Sequence, residues 1–263
     1  MPNRLDEHGQ FMQVVAARSG EVIRGGFEAS LEVYIKEADQ TPVTYVDHAV
    51  NAIVAEMVRA TYPQDTFVGE ETDGQLSDGR NWVCDPLDGT KAFVNSMPLA
   101  AFALALVEDG QTVCSIVYDP FMQRGVVAAV GEGAWMNGKR MHVSDQNQIK
   151  GADIHISWGK RGALERVRFL RELGAKLIKI DATAYVGMLT AMGKLDGDIF
   201  TGTSPWDVAA QSLAISEAGG KVSTLSGGEL IITDHVDGSI MTNGHLHEMI
   251  IDIVRRSLAD DSE

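Results

Sequence analysis

Trp82-Val83-Cys84-Asp85-Pro86-Leu87-Asp88-Gly89-Thr90 begins as an apolar run of strand-forming residues and ends in two carboxylates. The run predicts the end of a β-strand, and Pro86 and Gly89 predict that the carboxylates lie on a turn behind it. Gly89 permits close approach of backbone to a ligand, so the N–H groups of Gly89 and Thr90 can point outward. Carboxylate oxygens hold hard divalent cations such as Mg²⁺, and outward N–H groups hold phosphate. One short loop therefore offers both halves of a metal-assisted phosphate site. Two carboxylates this near each other repel unless a cation or a proton intervenes.

Spacing excludes two other acidic loops. A calcium EF-hand needs Asp-x-Asp-x-Asp-Gly and a closing Glu, which this segment lacks. The Asp-x-Asp-Gly-Thr motif of haloacid-dehalogenase-type phosphatases has a single residue between its aspartates and stands near the start of the chain. Here two residues separate them and more than 80 precede them.

Upstream, apolar residues at Leu5, Phe11, Met12, Val15, Ala16 and Ile23 predict a first helix that Gly25-Gly26 stops. Val43–Val46 reads as extended. Asp47 reads as the N-cap of a helix with Val50, Ile53, Val54, Met57 and Val58 on one face, ended by Tyr62-Pro63. Thr66-Phe67-Val68 predicts a strand running into Gly69-Glu70-Glu71. Downstream, Ala101–Val107, Thr112–Tyr118 and Gly125–Val130 are β-rich and separated by turn signals such as Asp109-Gly110. Past residue 150, strands at Ile154–Ile156, Lys176–Ile180 and Gly197–Phe200 alternate with helices at Leu164–Leu173, Ala184–Met192 and Asp207–Ala218. A last helix covers Leu246–Leu258. The pattern predicts an α+β first half over 1–148 with antiparallel strands, carrying the metal and phosphate groups. An α/β second half over 149–263 completes the site with Asp207. The seam falls at about Asn147–Gly151, and no internal repeat or low-complexity tract is present.

The bulk composition narrows the class. Of 263 residues, 44% are apolar and 22% charged, an ordinary balance for a globular chain with a substantial core. The longest apolar stretch, Pro98–Val107, falls short of the ~20 residues a membrane helix needs. The polar start Met1–His8 has no apolar signal-peptide core. Two cysteines, Cys84 and Cys114, build no disulfide framework, which points to a reducing cytoplasm. With 37 acidic and 22 basic residues the net charge is −15, so a nucleic-acid surface is not expected. An anionic substrate would be repelled unless bound cations reversed the sign of its site. None of the seven histidines shows HExxH spacing, and they read as structural or surface residues.

Acidic residues recur at ends of predicted strands or starts of predicted helices: Asp47, Glu70-Glu71, Asp85/Asp88 and Asp207. Singly, Asp47 and Asp207 are ordinary helix-start residues and Glu70-Glu71 an ordinary solvated loop. Together they carry a resemblance. Val43-Thr44-Tyr45-Val46-Asp47, Gly69-Glu70-Glu71, Trp82–Thr90, Trp206-Asp207-Val208-Ala209-Ala210 and Glu217-Ala218-Gly219-Gly220 resemble the inositol monophosphatase family in order and spacing, from about Lys36 to Val222.

The resemblance implies a layered αβαβα sandwich and a Mg²⁺-dependent phosphomonoesterase, with two or three ions per site, Mn²⁺ as a possible substitute and Li⁺ as an inhibitor. It implies Glu70, Asp85 and the Leu87 carbonyl as a first metal site, and Asp85, Asp88 and Asp207 as a second. Glu70 also serves a third, weaker ion and counts among the catalytic residues. Asp47 and Thr90 match the pair that orients and deprotonates the attacking water. The N–H groups of Gly89 and Thr90, beside Asp88, match the phosphate cradle, and Lys36 matches a lysine of a mobile loop near the metals. In the two-metal arrangement one ion activates the water and the other steadies the leaving ester oxygen, so no Cys, Ser or His nucleophile is needed.

Substrate hydroxyls are contacted in the family by a loop before a helix of the second half and by a residue just upstream of Trp-Asp. These correspond to Asp181-Ala182-Thr183 and to Thr201. Inositol-type members carry a Glu at the second place, and its absence here removes a strong acceptor for sugar hydroxyls. An inositol monophosphate-like ester is therefore expected alongside fructose 1,6-bisphosphate, histidinol phosphate or 3′-phosphoadenosine 5′-phosphate. The expected partners are this small phosphorylated metabolite and a second copy of the chain, as a homodimer. A regulatory, protein- or RNA-associated factor is the reading of another class.

Overall fold

The computed structural model of the chain describes residues 4–27, 29, 32–36, 40–72, 74–157 and 163–260, so Met1–Asn3 of the polar start lie outside the described residues. The first sheet has seven strands: β3 (Thr66–Gly69), β4 (Arg80–Asp88), β5 (Ala101–Glu108), β6 (Gln111–Asp119), β7 (Arg124–Ala129), β8 (Gly133–Met136) and β9 (Lys139–Arg140), in that spatial order. β3 runs parallel to β4 and the remainder is an antiparallel meander. Two of its turns use Asp109-Gly110 and Asn137-Gly138, with φ of 50° and 75° and of 52° and 73°. Positive φ at both central residues is the hairpin geometry that matches strand twist.

The opening motif is strand to its last carboxylate, where the sequence predicted a turn. β4 pairs Asp85 with Ala103 and Asp88 with Ala101, with a register shift between them. Pro86 explains the bulge, since it has no N–H for the ladder and is tolerated in a sheet only where pairing lapses. The Leu87 N–H turns inward instead and donates to Asp85 Oδ1 at 3.1 Å.

Alternation along β4 and β5 builds two cores. Trp82, Cys84, Phe102, Leu104 and Leu106 face α1 (Gln10–Gly26, led by a π-helical turn at Leu5–Gly9) and α2 (Tyr45–Thr61). Val50, Val54 and Val58 answer from α2, each closing one turn of an apolar face. The opposite face of β5 is Ala101, Ala103 and Ala105. Those small residues admit α5 (Thr183–Ala191) and α6 (Ala209–Glu217), both mostly buried. Each large side chain fully buried here stabilises the fold by about 1.5–3 kcal/mol before entropy is counted.

Beyond α5 and α6 lies the second sheet, ordered β11 (Lys176–Ile178), β10 (Asp153–Ile156), β12 (Gly197–Phe200), β14 (Ser239–Thr242), β13 (Lys221–Ser223). β10 is parallel to β11 and β12, and β14 is antiparallel to β12 and β13, so the sheet is mixed. Ile154, Ile156, Ile199 and Ile240 face α4 (Ala163–Glu172) and α7 (His247–Asp260). The order is thus helix pair, sheet, helix pair, sheet, helix pair. A two-stranded ribbon, β1 (Val33–Ile35) with β2 (Pro42–Thr44), and the short helix α3 (Thr90–Val94) complete the fold. No helix among the described residues is long and apolar enough to cross a membrane.

The middle layer depends on Gly187, where a Cβ would overlap Cβ and Cγ of Gln211 on α6. Gly187→Ala is expected to destabilise the protein by about 1–3 kcal/mol, the usual cost of overpacking. Urea denaturation would show it as a lower midpoint with an unchanged slope.

Candidate active site

The bulge of β4 places Asp85, Leu87 and Asp88 at the edge of the middle layer, 2%, 0% and 5% exposed. Gly89 then takes φ of 84°, and a Cβ there would meet the Leu99 carbonyl at 2.7 Å and the Ala182 methyl at 2.8 Å. Glycine is required on both counts. The turn delivers Thr90 Oγ1 to within 2.9 Å of the Leu87 carbonyl and 3.0 Å of Asp47 Oδ1.

Asp47 reaches Thr90 through a cap different from the one the sequence suggested. Thr44 is the N-cap of α2, its Oγ1 accepting from the Val46 N–H at 3.1 Å. Asp47 is three residues on, and its Oδ2 accepts from the Thr44 N–H and hydroxyl at 2.8 and 2.7 Å. This is a capping box with Asp in the usual Glu place. Oδ2 is thereby spent on the cap and Oδ1 is turned to Thr90.

Asp88 is held from the other half of the chain. Its Oδ1 and Oδ2 accept from the N–H groups of Thr183 and Tyr185, at 2.8 and 2.9 Å, in the first turn of α5. Asp207 precedes α6, which starts at Ala209 rather than at Asp207 itself, and the Gln211 side chain donates to the Asp207 carbonyl. Lys36 Nζ bridges Glu70 at 2.7 Å and Glu71 at 2.5 Å. Burial works against the Lys36 ammonium, but the charges of Glu70 and Glu71 outweigh it and hold the proton more firmly than usual.

The electrostatics are those of crowded acids. Burial first, then Glu70, Asp88, Asp207 and Asp47, push the Asp85 carboxyl well above the usual range. Burial also raises Asp88 to about 7, against the pull of the Tyr185 and Thr183 N–H groups. Glu70 is raised by burial, partly offset by Lys36. Glu70, Asp85, Asp88 and Asp207 open onto one cavity of about 660 Å³ with Gly89 and Thr90. Among the described residues no three acidic, His or Cys side chains converge as a ready-made cage. The donor set is nonetheless all oxygen, with Asp85 and Asp88 buried, Glu70 and Asp207 half-buried and Lys36 the cation paired to it through Glu70, which suits a hard divalent cation.

Asp181, Ala182 and Thr183 line the same cavity, and Asp181 lies 3.4 Å from Lys179 Nζ and 3.9 Å from Lys91 Nζ. Thr201 does not reach its wall. That side chain is buried 3.0 Å from Ser157 Oγ, and Phe200 stands on the wall instead. Val33, Ile35, Pro42 and Val94 complete an apolar side that motif reading missed. Tyr185 was missed as well, because its contribution is a main-chain N–H, which no residue type announces.

The model of the family described as "Inositol monophosphatase family" matches residues 5–259. The chain belongs to the inositol monophosphatase family. It is 34% identical over 249 residues to the "Histidinol-phosphatase" of Mycobacterium tuberculosis, covering 90% of this chain and 94% of that one. It is 31% identical over 262 residues to "Inositol monophosphatase 2" of Solanum lycopersicum, covering 92% and 96%. The Thermotoga maritima IMPase structure superposes with a TM-score of 0.90 at 23% identity, over 97% of this chain and 99% of that one, which shows the shared layered fold. The protein is accordingly a phosphoric monoester hydrolase of this family.

The raised Asp88 carboxyl makes the metal-free family member sensitive to pH. Its folded-state value of about 7 lies above the ordinary 3.8, so the folded form holds the proton more tightly than the unfolded chain does. That contribution is full below the unfolded value and is lost as pH rises toward 7. The metal-free protein is expected to melt at a lower temperature at pH 8 than at pH 5. The difference should narrow in Asp88→Asn, as followed by differential scanning calorimetry.

Proposed function

We propose that this phosphatase hydrolyses a small phosphate monoester with Mg²⁺ held by Glu70, Asp85, the Leu87 carbonyl, Asp88 and Asp207. The observation that carries the reading is Asp85, buried among Glu70, Asp88, Asp207 and Asp47, where burial and those acids push its carboxyl well above the usual range. A structural neighbour titled "IMPase/NADP phosphatase complexed with Mg2+ and phosphate" shares the fold with a TM-score of 0.86 and supports the choice of ion. Bound Mg²⁺ supplies Lewis acidity and lowers the pKa of water.

The chain's own residues position and move protons. The N–H groups of Gly89 and Thr90 hold the phosphate, and Asp88 is kept at the site by the first turn of α5. Thr90 Oγ1 accepts a proton from the attacking water while donating its own to Asp47 Oδ1, 3.0 Å away. The water oxygen bonds to phosphorus as the ester P–O bond breaks in line; the leaving oxygen takes its proton from solvent water, and Asp47 returns the proton it received to solvent. The half over 149–263 supplies Asp207 and the Asp181–Thr183 wall. We further assign a homodimer and a cytoplasmic setting on family resemblance and the near absence of cysteine.

The leaving group is of the inositol monophosphate size, with histidinol phosphate as a second reading. The apolar side of Val33, Ile35, Pro42, Val94 and Phe200 suits a leaving group with one carbon-rich face, which is the observation behind the histidinol phosphate reading. Relatives also include the "Nus factor SuhB" of Escherichia coli, 31% identical over 223 residues, 81% of this chain, so a regulatory role stands beside catalysis.

Purified protein stripped with EDTA is expected to release no phosphate from inositol 1-phosphate, histidinol phosphate or fructose 1,6-bisphosphate, and to recover with Mg²⁺. Millimolar Li⁺ should then inhibit. Asp85→Asn should lower turnover at least roughly a hundredfold and weaken Mg²⁺ binding in calorimetry. Normal hydrolysis by that variant would sink the metal reading. Lost hydrolysis with a retained cellular phenotype would favour the regulatory one.

A further inference from the structure

His155 and Asp198 are cross-strand neighbours on β10 and β12, 2% and 0% exposed, with His155 Nδ1 2.7 Å from Asp198 Oδ1. The second ring nitrogen, Nε2, lies 2.9 Å from the carbonyl of Ile180. A carbonyl only accepts, so Nε2 carries a proton and donates to Ile180, and an ionised Asp198 takes a second N–H from Nδ1. Burial disfavours the charged ring, but Asp198, the Ile180 carbonyl and Asp181 outweigh it and raise the ring's pKa.

The pair is a poor device for stability alone. Asp198 Oδ2 is buried with no partner, and two apolar residues in place of a buried ion pair commonly leave a fold as stable or more so. Its place in the fold suggests another use. The ladder of β11 ends at Ile178, which pairs with His155, and the chain then runs through Lys179 and Ile180 to the cavity wall. Asp181 and Ala182 stand on that wall, and Thr183 and Tyr185 donate to Asp88.

We propose that His155, set by Asp198, is a positioning residue: its Nε2–H holds the Ile180 carbonyl and thereby places the Asp181–Thr183 segment against the leaving group and Asp88. The inference rests on the phosphomonoesterase reading above. It adds that this buried pair, remote from the ester, governs which leaving groups fit. Asp198 from β12 and Asp181 from the segment after β11 are the charged groups that face the ring.

Three variants separate position from fold. His155→Leu/Asp198→Val removes both charges and the Ile180 bond. It should melt close to wild type yet lose roughly tenfold or more in kcat/KM, mainly through KM. The ratio of kcat/KM for histidinol phosphate to that for para-nitrophenyl phosphate should shift with it. Asp198→Asn keeps a neutral ring that still donates from Nε2, and should stay within roughly threefold of wild type. His155→Leu alone leaves Asp198 buried and uncompensated, and should lose both stability and kcat/KM. Long-range ¹H–¹⁵N spectra of the metal-free protein at pH 7 should show both ring nitrogens protonated.

A folded double variant with unchanged kcat/KM and ester ratio would overturn the proposal. So would losses that follow melting temperature in every variant, Asp198→Asn included, or a wild-type ring whose Nε2 carries no proton. Failure of the wild type to release phosphate from any ester with Mg²⁺ would strike the phosphatase reading itself, a result distinct from these.

Discussion

Burying Asp85 and Asp88 at the end of one strand is the constraint around which the rest of the molecule is arranged. A carboxylate taken out of water must be protonated, paired or given a cation, and each of the neighbouring acids makes the first charge harder to keep. The fold supplies partial remedies. Main-chain N–H groups of α5 reach Asp88, the Leu87 N–H turns back to Asp85, and the single charge of Lys36 is shared between Glu70 and Glu71. What they leave is a set of oxygens still short of positive charge, and that deficit is what makes the site a metal site in this reading.

The deficit is tolerated because the surroundings are rigid. β5 presents alanines to the middle layer and Phe102, Leu104 and Leu106 to α1 and α2, so one strand lets helices approach closely on one side and fills a large core on the other. The close approach brings α5 and α6 against the first sheet, and with them the Thr183 and Tyr185 N–H groups and Asp207. Each half of the chain thus supplies what the other lacks. The acids come mainly from the first half, and the groups that orient or complete them from the second.

Chemistry and selectivity occupy different strata of the site. The proposed phosphate end consists of the β4 bulge, Gly89, Thr90 and the capping box that aims Asp47, all set by short-range geometry. The leaving-group end is a composite of the β1–β2 ribbon, the residues around Phe200 and the segment after β11. Elements so distant in the chain can vary without disturbing the reaction, which accounts for family members with differently named substrates sharing one fold.

The local residues were therefore the most legible. Asp85, Asp88, Gly89 and Thr90 are joined by chain geometry, and their grouping followed from spacing alone. The strands of the meander followed from alternation and the Asp109-Gly110 turn. The short strands β8, β9, β13 and β14 were missed, because two to four residues carry no usable period and their partners, not their composition, make them strands. Asp47 was misplaced in its cap, since Thr44 and Asp47 compete for the role and only the backbone angle of Thr44 decides it. Thr201 was aligned to the substrate by position, but the pairing of its hydroxyl with Ser157 takes it off the wall.

By itself, then, the sequence determined the family and the class of reaction. Those rest on residue types at fixed short spacings, which the chain cannot rearrange. Only the tertiary structure decided which oxygen of Asp47 faces Thr90, which N–H groups hold Asp88, that Phe200 rather than Thr201 faces the cavity, and that the buried His155 ring lies against the Ile180 carbonyl. These depend on contacts between segments tens to hundreds of residues apart, where packing and hydrogen-bond satisfaction, not local preference, select the geometry.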